Sequence, residues 1–94
     1  MGTALITGAS EGIGLEFAWQ LAEAQHNLVL VARRRQKLEE IAAKIHNLAG
    51  VKVEVLAADL STQAGVDAVA ERIRSTQLPS IGLLVNNAGF GLGQ

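Results

Sequence analysis

Ninety-four residues suffice for one small domain and not for two. Hydrophobic residues supply 49% of the chain and charged residues 18%, which excludes the disordered class, and a net charge of −1 argues against an electrostatic nucleic-acid binder. The absence of cysteine rules out disulfides, zinc–thiolate sites and a thiol nucleophile and fits a reducing cytoplasm. With no basic leader and no apolar run long enough to span a bilayer, the expected setting is cytoplasmic, without a membrane partner.

Thr3 to Thr7 is a short apolar run ended by Gly8, consistent with a buried strand. Glu11 to Ala24 reads as a helix, with Ile13, Phe17 and Leu21 on one stripe and Gly14, Ala18 and Ala22 beside them. Asn27 to Ala32 is a second buried strand. The next helix carries Leu38, Ile41, Ala42, Ile45 and Leu48 on one face, with Gly50 just past its end. Val51 to Ala57 alternates with period two, so this strand belongs near an edge. Ser61 is the expected N-cap of a third helix bearing Val66, Val69, Ala70 and Ile73, which closes before Pro79. Ile81 to Val85 is the fourth strand. The alternation β-α-β-α-β-α-β predicts an α/β domain over residues 1–94: a parallel sheet with right-handed crossovers, order 3-2-1-4, and a ligand crevice beside strand one.

The turn from strand one into helix one reads Thr7-Gly8-Ala9-Ser10-Glu11-Gly12-Ile13-Gly14. Gly8 permits the sharp turn, Gly12 lets a pyrophosphate approach the backbone, and Gly14 lets the helix pack closely. The first N–H groups of the helix then face the phosphates, aided by the helix dipole, and Ser10 suits a phosphate hydrogen bond. The spacing Gly-x-x-x-Gly-x-Gly after a threonine resembles the short-chain dehydrogenase/reductase family. The resemblance implies the N-terminal half of a doubly wound Rossmann fold, with Gly8, Ser10, Glu11, Gly12, Ile13 and Gly14 at the cofactor.

Dinucleotide folds that prefer NAD usually end strand two in an acid that grips the ribose hydroxyls. Here Ala32 stands in that place, followed by Arg33 and Arg34. Arg33 offers a planar, permanently charged donor fork to a 2′-phosphate, and Arg34 and Lys37 add to its field; Arg35 reads as a solvated cation. An arginine in the first turn of a helix opposes the dipole, which favours a ligand role for Arg33. NADP(H) is therefore expected over NAD(H). Glu11 departs from the family pattern, where Arg or Ser is frequent; it either pairs with Arg33 or lowers phosphate affinity.

Two further marks support the resemblance. Ala58-Asp59-Leu60-Ser61 follows strand three, where the family's Asp accepts from the adenine amino group and the next residue donates its backbone N–H. Asp59 is also readable as a helix N-terminal acid. Asn86-Asn87-Ala88-Gly89 follows strand four; the resemblance implies that the asparagines tie neighbouring strands together and that Asn86, Ala88 and Gly89 line the pocket beside the cofactor ribose.

The family transfers hydride between nicotinamide and a carbonyl or alcohol carbon, using a Tyr-x-x-x-Lys pair for proton transfer. This chain has no tyrosine, and Lys37, Lys44 and Lys52 belong to helix two and the start of strand three, so no residue is named catalytic. His26 and His46 share no pocket, Trp19 reads as packing, and Asp59 and Asp67 lack the partners of a metal site. The expectation is an oxidoreductase acting on a small-molecule carbonyl or alcohol, this chain being its cofactor-binding half and inactive alone. The alternatives are a non-catalytic NADP(H)-binding or redox-sensing module and a ligand-free interaction domain. The family points to a homo-oligomer, and the isolated chain is expected to self-associate at the Ile81–Val85 edge, which a fifth strand would cover in a larger sheet.

Overall fold

A computed structural model describes residues 2–87; Ala88 and Gly89 lie outside the described residues. The elements are β1 (Thr3–Thr7), α1 (Gly12–Glu23), β2 (Asn27–Ala32), α2 (Arg35–Ala49), β3 (Val53–Ala57), α3 (Gln63–Arg74) and β4 (Ile81–Val85). The four strands form one parallel sheet in the order β3-β2-β1-β4, as expected. β1 and β2 occupy its centre, where both faces are covered, and this is why their sequences are continuous apolar runs. β3 is half-buried along its length, in keeping with its alternating sequence at an edge. No helix among the described residues is long and apolar enough to cross a membrane.

Side chains alternate across the sheet and divide the core in two. Ala4, Ile6, Leu28 and Leu30 meet Ala18 and Ala22 of α1 and Leu38, Ala42 and Ile45 of α2 on one face. Leu5, Val29 and Val31 meet Val69 of α3 on the other. Trp19 is half-buried against the first of these clusters, a packing role as its mid-helix position implied.

α1 and α3 turn a different stripe inward from the one their largest apolar residues suggest, whereas α2 buries most of the face expected from its sequence. α1 buries Gly14, Ala18 and Ala22, whereas Ile13 is 67% and Phe17 41% exposed. Small side chains let the helix lie close to the sheet, and Ile13 projects about 140° from the centre of that stripe at roughly 100° per residue. α2 buries Leu38, Ala42 and Ile45 and leaves Leu48, which stands about 80° round from Leu38, in solvent. α3 buries Gly65, Val69 and Arg72; Val66 and Ile73 sit at its margin. Gly50 ends α2 in the left-handed conformation, φ 78°, as its place after the helix required.

The expected cap of α3 is corrected by one residue. Thr62, not Ser61, is the N-cap: its Oγ1 accepts from Gly65 N at 3.0 Å and donates to the Asp59 carbonyl at 2.8 Å. β3 likewise begins at Val53 rather than Val51, since Val51 turns inward and its carbonyl lies 2.9 Å from His46 Nδ1.

Candidate functional site

A parallel sheet collects the C-terminal ends of its strands on one side, and there the loops after β1, β2 and β3 enclose a crevice of about 480 Å³. Its wall after β1 is Gly8, Ser10 and Glu11; after β2, Val31, Ala32 and Arg33; after β3, Ala58, Asp59, Leu60 and Ser61; Asn87 comes from the end of β4. A smaller recess of about 90 Å³ is lined by Ser10, Glu11, Arg33, Arg34 and Lys37. The two share Ser10, Glu11 and Arg33, so an apolar-floored slot adjoins a basic corner.

The turn after β1 has the backbone its glycines call for. Gly8 and Gly12 take φ of 63° and 60°, left-handed values that cost an L-residue about 1–2 kcal/mol. Ala9 is buried, and its N–H donates to the Val31 carbonyl at 3.2 Å, pinning the turn to β2. A Cβ on Gly14 would collide with the Gly8 carbonyl oxygen and come within 2.7 Å of Asn87 Nδ2. Gly14 is thus required where the start of α1 meets its own loop. Around Gly12, by contrast, a Cβ would meet nothing within 4 Å. A phosphate group could therefore come close to that backbone without obstruction.

Arg33 and Arg34 precede the first turn of α2, with Arg34 at the N-cap position and no side-chain cap. The dipole argument made for Arg33 therefore does not apply to it; Arg35 is the first-turn arginine, and it forms an exposed pair with Glu39 at 3.8 Å. The pairing of Glu11 is also corrected. Its Oε1 accepts from Lys37 Nζ at 3.4 Å across the basic recess, and no bond to Arg33 forms. The lysine is the nearer cation because α2 brings its first turn up beside the glycine turn.

Asp59 is held by its own loop. Its Oδ1 accepts from Ser61 Oγ at 2.7 Å and Ser61 N at 2.9 Å, and these bonds, with a smaller contribution from the Arg33 charge, hold the carboxyl below its ordinary pKa. It is an ionised acceptor at the crevice wall, and capping of α3 falls to Thr62 instead. Leu60 stands beside it in the lining.

Asn86 and Asn87 divide two tasks. Thr7 Oγ1 accepts from Asn87 N at 2.8 Å and lies 3.2 Å from Asn86 Oδ1, joining the ends of β1 and β4, the tie between strands that the motif implied. Asn86 faces an apolar pocket of about 170 Å³ between α3 and β4, lined also by Val66, Val69, Ile73 and Leu84. Asn87 lines the crevice. Of the cofactor residues expected from sequence, the crevice thus gathers Gly8, Ser10, Glu11, Arg33, Asp59 and Leu60, and the recess adds Arg34 and Lys37. Gly12, Ile13, Gly14 and Asn86 stand outside both linings. Sequence reasoning passed over Ser61 and Asn87; the neighbouring motif residues were the available signal. No group of three or more His, Asp or Glu capable of holding a metal occurs among the described residues.

The arrangement suits an elongated ligand with an anionic middle and a second anionic group at one end. The glycine turn offers backbone N–H groups, Asp59 an acceptor, and the recess three cations against one carboxylate.

The comparisons with known proteins agree with this geometry. The family model described as short chain dehydrogenase matches residues 2–94. A very-long-chain 3-oxoacyl-CoA reductase from Debaryomyces hansenii is 43% identical over 86 residues, covering 92% of this chain and 25% of that protein. The human 17-beta-hydroxysteroid dehydrogenase type 3 is 37% identical over 87 residues, covering 93% of this chain and 27% of its own. Among solved structures, a short-chain dehydrogenase from Sphingobium yanoikuyae in complex with NADPH superposes with a TM-score of 0.88 at 47% identity, over 95% of this chain and 34% of that one. L-sorbose reductase from Gluconobacter frateurii, complexed with NADPH and L-sorbose, gives 0.85 at 44% identity over 96% and 34%. The chain thus spans about a quarter of the length of the curated relatives and about a third of the solved ones. By sequence, by sheet order and by the glycine turn, it belongs to the short-chain dehydrogenase family of oxidoreductases.

Proposed function

We propose that this chain is the NADP(H)-binding part of a short-chain reductase or dehydrogenase that acts on a small-molecule carbonyl or alcohol in the cytoplasm. The observation that carries the reading is the recess of Ser10, Arg33, Arg34 and Lys37 adjoining the crevice next to Ala32, where an acid would repel a 2′-phosphate. The residues fit such a cofactor. The turn from Gly8 to Gly14 would hold the pyrophosphate, Asp59 and Leu60 the adenine, and Arg33, with Arg34 and Lys37, the 2′-phosphate. Asn87, which lines the crevice at the end of β4, would stand toward the ribose. When bound, the cofactor supplies or accepts hydride; the chain's own part is to orient it and to neutralise its phosphates. NADPH in two similar structures supports this choice. The chain has no tyrosine to serve as proton donor, so alone it is expected to turn over no substrate.

The test is a fluorescence titration of NADPH and NADH against the chain and its Arg33→Ala variant. NADPH is expected to bind the tighter of the two. Loss of a charge-assisted contact of about 1.5–3 kcal/mol weakens NADPH roughly 10- to 100-fold in the variant and leaves NADH nearly unchanged. Equal binding of both cofactors, with no loss on substitution, would overturn the reading.

β4 pairs with β1 and leaves its other edge open among the described residues, and Leu83 and Leu84 are 41% and 51% exposed. An apolar strand edge of this kind is a template for pairing. The 94-residue chain is expected to self-associate there, and Leu84→Lys to weaken the association. A stable monomer at high concentration in sedimentation equilibrium would contradict this.

A further inference from the structure

We infer that the recess between the C-terminal ends of α1 and α2, at the opposite end of the strands from the crevice, binds an organic cation: an ammonium or guanidinium group on an apolar stem. The recess has a volume of about 350 Å³ and is lined by Trp19, Glu23, Gln25, Leu48 and Ala49. Three features distinguish it. Glu23 is the last residue of α1, and no basic residue stands in that turn, so a carboxylate sits where the helix dipole is already negative. Glu23 forms no ion pair or hydrogen bond among the described residues. Gln25 takes a φ of 70°, a left-handed value that favours glycine, and its Nε2 donates to the Ala49 carbonyl at 3.3 Å, tying the two helix ends together beside the recess. Leu48 is 78% exposed and Trp19 only half-buried, so apolar and aromatic walls flank the carboxylate.

The carbonyl ends of the two helices each contribute about half a negative charge, and the Glu23 carboxylate adds a full one. No lysine, arginine or histidine is in the lining; Lys44 and Lys52, four residues to either side of Leu48, stand outside it. His46, the basic residue in the last turn of α2, has its Nδ1 turned to the Val51 carbonyl. A cation entering the recess therefore meets a field of one sign. Its stem covers Leu48, and the indole of Trp19 adds the attraction of an aromatic ring for positive charge. A neutral molecule of the same shape gains only the stem contact. Because Glu23 is exposed, water and salt screen the attraction, which keeps the affinity in the millimolar range. None of these residues lines the crevice or the basic recess, so the site stands apart from the NADP(H) reading.

Trp19 is the only tryptophan and the chain has no tyrosine, so indole fluorescence reports on this recess alone. n-Butylguanidinium, n-butylammonium and the neutral n-butylurea are titrated against the chain, with N-acetyltryptophanamide as the control for collisional quenching. Both cations are expected to give a saturable change with a Kd on the order of 1–10 mM, and the urea to bind about fivefold more weakly, the difference shrinking in high salt. Glu23→Gln is expected to weaken the cations about three- to fivefold and to leave the urea unchanged, whereas Glu39→Gln, near the start of α2, changes neither. Trp19→Leu, followed by the backbone amide shifts of Gln25 and Ala49, is expected to weaken the cations about two- to fivefold. Nα-acetylarginine amide tells the two sources of such a cation apart. Binding at least as tight as that of butylguanidinium supports a site for an arginine side chain of a polypeptide, and binding about tenfold weaker supports one for free cations. Equal binding of the cations and the urea, a response that does not saturate, or cation affinity unmoved in Glu23→Gln overturns the inference.

Discussion

Gly14→Ala is expected to destabilise the chain by about 2 kcal/mol and to weaken dinucleotide binding by about tenfold or more. The collision it creates is with backbone, since the new methyl meets the Gly8 carbonyl and the Asn87 amide. A carbonyl fixed in a turn that is itself bonded to β2 through Ala9 has little room to give. The start of α1 has to lift away from the turn, which costs about 3 kcal/mol at the upper end of overpacking, offset by about 1 kcal/mol of better helix propensity. Lifting α1 also moves its first N–H groups off the crevice, and this couples the fold to the ligand. Gly12→Ala is the matched control, with open space around its Cβ and a cost of about 1 kcal/mol set by φ alone. Denaturant midpoints and NADPH titrations of the two variants check the order. Removing the Asn87 amide as well should not restore Gly14→Ala, because the main obstacle is the Gly8 carbonyl. A Gly14→Ala chain within about 0.5 kcal/mol of the parent would show that α1 is not seated on the turn.

The bounds of β1, β2 and β4 were readable in the sequence to the residue. Two of these strands are central, so all side chains but the two at the ends of β2 are buried, and turn residues or polar stretches flank all three. β3 shows the reverse: it pairs on one side only, and Val51 and Lys52 continue its alternation although Val51 turns inward ahead of the strand. Helical periodicity found the face of α2 that meets the sheet, but on α1 it told which residues share a face and not which face lies inward. On α1 both stripes are apolar, and the small one lies inward because close approach to β1 and β2 tolerates no more than a methyl group. Size, rather than hydropathy, decided the orientation.

At the site, the parallel order alone predicts that the loops after β1, β2 and β3 converge, which is why Gly8, Arg33 and Asp59 could be placed together from sequence. What could not be read was pairing among side chains of those loops. Arg33 is the nearer cation to Glu11 along the chain, but the pitch of α2 brings Lys37 to it instead. Asn86 and Asn87 are successive residues of extended chain, so they face opposite ways, and only one of them can line the crevice. The motif names both without saying which.

Arg72 is the residue whose role was least visible in the sequence, and substitutions around it should show the largest departure from additivity. It belongs to the inward stripe of α3, with its side chain 4% exposed. Its Nε and Nη2 donate to the Glu54 carboxylate at 2.7 and 3.1 Å, and Nη2 also donates to the Pro79 carbonyl at 2.8 Å. One guanidinium thus binds the edge strand β3, the helix α3 and the segment entering β4. Removing Glu54 alone leaves the cation buried against a single carbonyl. Such a loss costs about 3–5 kcal/mol for a fully buried pair, and about 2–3 kcal/mol here because Glu54 is 35% exposed and water partly replaces it. Glu54→Met is therefore expected to lower the melting temperature by roughly 10–20 °C, for a domain of this size. Replacing both members, Glu54→Met with Arg72→Met, removes the charge along with its partner and fills the space with apolar atoms. The double variant should sit within about 1 kcal/mol of the parent and well above Glu54→Met. Thermal or denaturant unfolding of the four proteins closes the cycle, and a double variant no more stable than Glu54→Met would show that the pair is not the source of the loss. A chain of this length buries too little surface to absorb such a loss, so Glu54→Met should leave a substantial fraction of molecules unfolded at ordinary temperature.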